Sequence, residues 1–424
     1  MKSGSIRSLY ISYFGLREPL VQTQVLPYLR GLSESGVAVW LMTFEPELKR
    51  SWNAVEITRS REQLASQGIR WSCLPYHKRP TLPATLFDIA RGTASASRLI
   101  RRERIGLLHA RGYVPAAMAA LAKRIAGGRM IFDVRGFMPE EYVDAGLWPE
   151  NGLLYRLTKR AERALIKTSD GFVVLTERAR AIFKTSRNAA SKPIEVIPCC
   201  VDFDRFDAAN IISREAIRSE LGIGVDRKVL IYVGALGGWY LTNEMTSFIA
   251  AAHKRDHRTY TLIVTQSDPS MISRPLSEAG VSPRDFSVTK AAPDRVPLYL
   301  KASDIALSFI KTCYSKVASS PTKIAEYLAS GLPVLSNAGI GDLDELIEAN
   351  RVGVILRGFN NDAYAEALDR VEALRSESDC GARCRKIARR CFDLDSVGTV
   401  RYRKLYDAVA LKQRTQAASC EAAL

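Results

Sequence analysis

ASSPTKIAEYLASGLPVLSN, residues 318–337, reads as a helix with a marked start, a marked stop and a buried strand behind it. Ser320 suits an N-cap, because its hydroxyl can accept from an orphan helix amide. Pro321 then falls at the first helical position, where its fixed φ helps and its missing N–H costs nothing. Gly331 fits the left-handed residue that ends a helix, and Pro333 prevents continuation. Residues 332–335 are short, apolar and turn-bounded, as a buried parallel strand is. Lys323 lies in the first turn, where the macrodipole alone prefers an acid. A cation there makes sense if an anion shares the helix start, since free amides and the dipole favour phosphate at that end. Glu326 follows about one turn later, so both side chains can face one ligand. A carboxylate accepting from two adjacent hydroxyls is the usual way to hold a ribose. Taken alone, the two residues describe a surface Lys–Glu pair at least as well.

Outward from this stretch the chain repeats strand and helix. At 424 residues it exceeds one typical core, and two domains are expected. The first half places strands at 8–14, 37–44, 69–75, 105–109, 129–134, 171–175 and 195–198. A single helix is expected from about 21 to 35. After residues 198–206, PCCVDFDRF, the pattern restarts with strands at 228–233, 260–264, 286–289, 305–309, 332–335 and 352–356. The expected division is 1–200, a linker at 201–208, a second domain at 209–395, a closing helix at 396–411 and a disordered tail at 412–424.

Apolar content of 47% and 25% charged residues describe an ordinary globular chain. The eight cysteines are scattered and outline no disulfide framework. No run approaches the roughly 20 apolar residues that span a bilayer, and the N-terminus lacks the apolar core of a signal peptide. A cytoplasmic protein is expected, with peripheral attachment to the inner face of the membrane open to it. Residues 1–200 carry +14 of the formal net charge of +16, so one half faces an anionic partner. Nucleic acid is a weak candidate, since no nucleic-acid motif accompanies the charge.

Residues 153–167, LLYRLTKRAERALIK, form the clearest amphipathic helix. Leu153, Leu154, Leu157, Ala161, Ala164 and Leu165 fall in a sector about 120° wide. Arg156, Lys159, Arg160, Arg163 and Lys167 fall opposite. Either the apolar side packs on the core and the charges are solvated, or the basic face meets anionic lipid head groups. Gly15, His109, Arg111, Asp133 and Arg135 lie at strand ends, where α/β proteins bind ligands. His109 is equally well a hydrogen-bonded structural imidazole.

Two βα domains, a mid-chain linker and a closing helix resemble the GT-B architecture: two Rossmann-like βαβ domains facing a central cleft, with a C-terminal helix crossing back to the N-terminal domain. SPTKIAEYLASGLPVLSN is similar to the donor-site signature of glycosyltransferase family 4, VIPCCVDFDRF to its interdomain segment, and GDLDELIEANRVGVIL to its closing βα unit. HARGYVPA and FDVRGFMPEE resemble a bacterial branch of that family. The resemblance implies retaining transfer of a sugar from a UDP- or GDP-sugar to a glycan or lipid-linked acceptor, without a metal or other cofactor. It gives Glu326 the donor ribose and Lys323 the diphosphate, with Ser320, Pro321 and Thr322 presenting helix-start amides. Gly234, Gly237 and Gly238 would let backbone approach the ligand, and Asp133 would act on the acceptor. Two departures stand out. The family's first signature glutamate is replaced by Ala318, and the cations of the Gly loop are missing, which leaves their charge to Lys323, joined by Lys311 or Lys316. An epimerase or a catalytically altered relative is the alternative that these departures suggest. Asp202 and Asp204 form an Asp-x-Asp pair, but in the linker rather than at a donor strand end.

Overall fold

The computed structural model describes residues 6–421. The chain divides into two compact units, one running to Pro198 and resuming at Asp395, the other spanning Cys199–Leu394.

The first unit is a seven-stranded sheet of β1 (Arg7–Ser12), β2 (Ala38–Pro46), β3 (Ile69–Tyr76), β4 (Leu107–Arg111), β5 (Arg129–Asp133), β6 (Gly171–Val174) and β7 (Ile194–Val196), in the order β3-β2-β1-β4-β5-β6-β7. Every pairing is parallel. Such strands are buried on both faces, which is why Leu9, Ile11, Leu41, Leu108 and Ile131 are fully inaccessible and each strand reads as an apolar run. The order reverses between β1 and β4, where an open parallel sheet splits its crossovers and leaves a crevice at the carboxyl edge.

The second unit repeats the scheme with β8 (Lys228–Val233), β9 (Thr259–Val264), β10 (Phe286–Thr289), β11 (Ile305–Ser308), β12 (Val334–Asn337) and β13 (Gly353–Leu356), in the order β10-β9-β8-β11-β12-β13. Helices cover both faces. Ile324, Tyr327 and Leu328 pack beneath one, and Phe248, Ile249 and Tyr364 beneath the other. Its switch point lies between β8 and β11, so the Gly-bearing loop after β8 and the segment after β11 share one carboxyl edge.

All thirteen expected strands are present. The expected helix at 21–35 is two, Pro19–Gln24 and Leu26–Glu34, because Pro27 cannot donate to the preceding turn and its ring clashes there. The expected linker is not a loose tether. Helix Phe203–Ala208 packs Phe206 into the core of the second unit, and Asp207 pairs with Arg385 and Arg389. The chain returns to the first unit through a π-helical turn, Leu394–Thr399, and the last helix runs Val400–Glu421 rather than ending at 411. The final three residues of the expected tail lie outside the described residues.

Candidate functional site

Helix Thr322–Ala329 follows β11 and precedes β12. Pro321, not Ser320, is its N-cap, with extended φ and ψ and no side-chain cap. The Ser320 hydroxyl instead accepts from the Cys199 amide at 3.2 Å, so it ties the helix start to the segment that opens the unit. The Ile324 amide bonds the Pro321 carbonyl at 3.0 Å, which leaves the Thr322 and Lys323 amides as the first-turn donors with no carbonyl one turn back to meet. Gly331 holds φ +79° just past the helix, as the stop signal requires.

Lys323 settles the opening ambiguity. It is only 7% exposed, and its Nζ has no hydrogen-bond partner. No carboxylate reaches it within ion-pair distance among the described residues, so the exposed Lys–Glu pair is not what the fold builds. The ammonium lies 4.0 Å from the Tyr232 ring centroid and 4.4 Å from that of Tyr240, a cation–π cradle. It abuts Gly234, where a Cβ would stand 2.7 Å from Nζ. Any side chain there would evict the lysine. Gly234, Gly237 and Gly238 all have positive φ, so the loop needs glycine for its backbone as well.

Burial pushes the Lys323 ammonium down to about 7, with Glu326 opposing, and pushes the Glu326 carboxyl up to about 7, with Arg205 and Lys323 opposing. Desolvation disfavours both charges, and an incoming anion would restore the lysine's. Tyr327 locks the floor: its hydroxyl accepts from Val233 N at 2.8 Å and donates to Leu307 O at 3.1 Å, joining β8 to β11 through the helix. Asn337 receives Ile310 N and donates to Ile310 O, fixing the loop after β11. Lys311 is exposed in that loop, whereas Lys316 is buried with Nζ 3.8 Å over Trp239. The buried Ala318 leaves a methyl where the family signature has a carboxylate. Sequence reasoning missed Arg205, whose charge acts on Glu326 from the expected linker, and the tyrosine cradle, whose members Tyr232 and Tyr240 stand far from Lys323 in sequence and meet it only in the fold.

The first unit corrects several expectations. Asp133 and His109 are fully inaccessible, and Arg111 is 4% exposed. The Asp133 carboxylate meets His109 Nε2 at 3.4 Å, Tyr402 OH at 3.2 Å, Arg111 at 3.5 Å and Arg135 at 3.5 Å. Burial would raise its pKa, but Arg135, His109 and Arg111 outweigh burial and hold it well below the usual carboxylate range. Burial lowers the His109 pKa, and its Nδ1 meets Tyr406 OH at 2.9 Å. These groups clamp the last helix to the sheet, with His109 hydrogen-bonded as a structural imidazole is and Asp133 buried in the same network. Arg135 remains the more accessible member, at 15%. Gly15 owes its identity to packing, since a Cβ would stand 2.7 Å from Glu45 Oε2. Asp133→Ala should therefore cost about 3–5 kcal/mol, measured by urea unfolding, because it strands buried cations and hydroxyls.

The helix Leu153–Thr168 is turned differently from both readings of its wheel. Glu162 and Leu165 face inward. Tyr113 OH donates to Glu162 at 2.8 Å, and Lys159 pairs with Glu140 at 2.8 Å and with Glu162. Lys159 is thus drawn away from the basic face. This polar cluster rolls the leucines outward: Leu153 is 73% exposed, Leu157 48% and Leu154 45%. Arg156, Arg160 and Arg163 are exposed beside them.

Residues 21–205 match the family described as Glycosyltransferase Family 4, and residues 213–390 match Glycosyl transferases group 1. The two parallel-sheet units and the two family matches define a GT-B glycosyltransferase. The chain belongs to glycosyltransferase family 4. It is similar to the 2-deoxystreptamine glucosyltransferase of Streptomyces kanamyceticus, at 25% identity over 77% of this chain and 83% of that one. It is also similar to the lipopolysaccharide glucosyltransferase WaaG of Escherichia coli K12, at 26% identity over 52% of this chain and 59% of that one. Among solved folds, a Rickettsia africae glycosyltransferase superposes with TM-score 0.72 at 15% identity, covering 96% of this chain and 99% of that one. Anabaena HepE in complex with UDP and glucose superposes with TM-score 0.67 at 13% identity, covering 94% and 99%.

Proposed function

We propose that this glycosyltransferase moves a hexosyl group, with retention, from a UDP- or GDP-sugar to a glycan or lipid-linked acceptor in cell-surface polysaccharide or glycolipid synthesis. The buried, unpartnered Lys323 ammonium at a helix start carries the reading. A nucleoside diphosphate leaving group gains negative charge as the glycosidic bond breaks. A fixed cation and free amides that meet this charge favour the transition state over the ground state. Glu326, one turn on, holds the ribose hydroxyls. The charge is neutralised by side chains and amides, and no metal is required in this scheme. The names of the relatives are consistent with it: two are glucosyltransferases, and HepE is described with UDP and glucose.

The linkage has a sign. Burial holds the Lys323 ammonium of the free protein down to about 7, well below an exposed lysine. Binding a diphosphate raises that pKa, so UDP or GDP binding at pH 8 should take up close to one proton and weaken as pH rises further. Calorimetry in buffers of different ionisation enthalpy reads the uptake directly.

We also place the enzyme at an anionic membrane surface. A helix that shows solvent a leucine strip and an arginine strip side by side matches an element lying in the interface plane. Leu153, Leu154 and Leu157 changed together to serine should lower partitioning onto phosphatidylglycerol vesicles by at least about tenfold. Unchanged sedimentation with vesicles would remove the membrane from the account.

A further inference from the structure

Arg205 stands on the short helix Phe203–Ala208 that opens the second unit, and the donor reading above leaves it without a task. Phe203 and Phe206, three residues apart, are both buried and fix which face of this helix packs inward. Asp207 pairs with Arg385 and Arg389. Arg385 also donates to Ala329 O at 2.6 Å, at the end of the helix that carries Lys323 and Glu326. The short helix is thereby pinned to the donor helix. The half-buried Arg205 guanidinium donates to Pro293 O at 2.5 Å, in the loop after β10, and its Cζ lies 5.9 Å from the Phe206 ring centroid. That one bond uses one of its five N–H groups. No carboxylate lies within ion-pair distance of it among the described residues.

Glu326 presents the complementary need. Its backbone carbonyl accepts from Ser330 Oγ at 3.0 Å, but its carboxylate forms no hydrogen bond or ion pair among the described residues. Burial pushes that carboxyl up to about 7, and the charges opposing burial are Arg205 first and Lys323 second. The neighbouring Tyr327 hydroxyl is spent on Val233 and Leu307, and Arg385 and Arg389 are spent on Asp207. A protonated carboxyl loses part of its acceptor capacity, whereas the ionised form accepts from both hydroxyls of a diol. A bound diphosphate claims the Lys323 charge and brings negative charge of its own, which opposes the ionisation of Glu326. Arg205 is then the cation left to sustain it. Resting on the donor reading above, we infer that Arg205 is a positioning residue: braced on the loop after β10, it keeps Glu326 ionised for the ribose hydroxyls while the diphosphate occupies Lys323.

Removing the ribose 2′-hydroxyl reads this role without reading the phosphates. Calorimetry compares UDP and GDP with their 2′-deoxy forms across a range of pH on either side of neutrality. Both members of a pair carry the same diphosphate, so the protonation of Lys323 and of the phosphates cancels from the affinity ratio. In the wild type the deoxy form should bind about tenfold more weakly once Glu326 is ionised, and this penalty should shrink as pH falls. Arg205→Met should move the midpoint of that change up by about one pH unit or more, with the penalty regained at high pH. Arg205→Lys, which keeps the charge, should return the midpoint close to the wild-type value. An unmoved midpoint in Arg205→Met, with both nucleotides weakened alike, marks a residue that only braces the loop and overturns the inference. A lysine variant displaced as far as the methionine variant overturns it too. Failure of the donor reading itself looks different: the wild type then binds neither diphosphate, or binds the deoxy form equally well at every pH.

Discussion

Lys323→Met should yield a protein that is more stable and nearly inactive. The methionine keeps the aliphatic length against Tyr232, Tyr240 and Gly234 while removing an ammonium that the free protein buries without a hydrogen bond. Replacing buried charge by apolar volume is often stabilising by about 1–4 kcal/mol, so the thermal midpoint of the second unit should rise by several degrees. Turnover should fall by about 10²–10³, the usual loss when one preorganised donor to a developing anion is removed. Because the leaving-group charge grows in the transition state, kcat should fall more than KM rises. A lysine that merely supports the fold predicts the reverse pairing, with lower stability and retained turnover. Linkage adds a check. Between about 7 and the unfolded value near 10.4 the unfolded chain binds the extra proton, so wild-type stability gains from rising pH across that window, and the methionine variant should lose this slope.

Glu326→Gln should act on binding instead. The amide keeps the shape of the side chain but replaces one of two acceptor oxygens with a donor, which faces a ribose diol wrongly. Loss of a charge-assisted bond of this kind costs about 1–3 kcal/mol, or roughly 5- to 150-fold in affinity. The effect should fall on nucleotide and nucleotide-sugar alike and spare the rate of the bound complex. Equal affinity for the variant and the wild type would take the ribose from Glu326 and pass attention to Arg205, whose charge acts on the same carboxylate.

Much of the fold was legible because parallel strands buried on both faces leave continuous apolar runs, and all thirteen were found within a few residues of their ends. Helices were harder where punctuation is subtle. Pro27 splits one helix, and the capping box of Asn53 and Glu56 starts the unexpected helix Ala54–Ser66, a signal present in the residues but overlooked. The donor pocket was half legible. Gly331 and Pro333 announced the helix stop, and the misplaced positive charge of Lys323 pointed to an anion. The cradle of Tyr232 and Tyr240 was not legible, since it exists only once β8 lies beside the helix. The same limit explains Asp133 and His109. Polar residues at strand ends imply a site, but nothing local told that Tyr402 and Tyr406, nearly 300 residues on from His109, would cover them. The helix Leu153–Thr168 failed for a related reason: the wheel identified two faces, whereas the polar cluster of Tyr113, Glu140 and Glu162 chose a third to bury.

The central claim is that one buried lysine awaits a nucleoside diphosphate. Titrating wild type and Lys323→Met with UDP and with GDP at pH 8, in two buffers of different ionisation enthalpy, tests it most directly. The wild type should bind one nucleotide with uptake of close to one proton, and the variant should bind much more weakly and without proton uptake. Binding with equal affinity and equal proton balance in both proteins would contradict it.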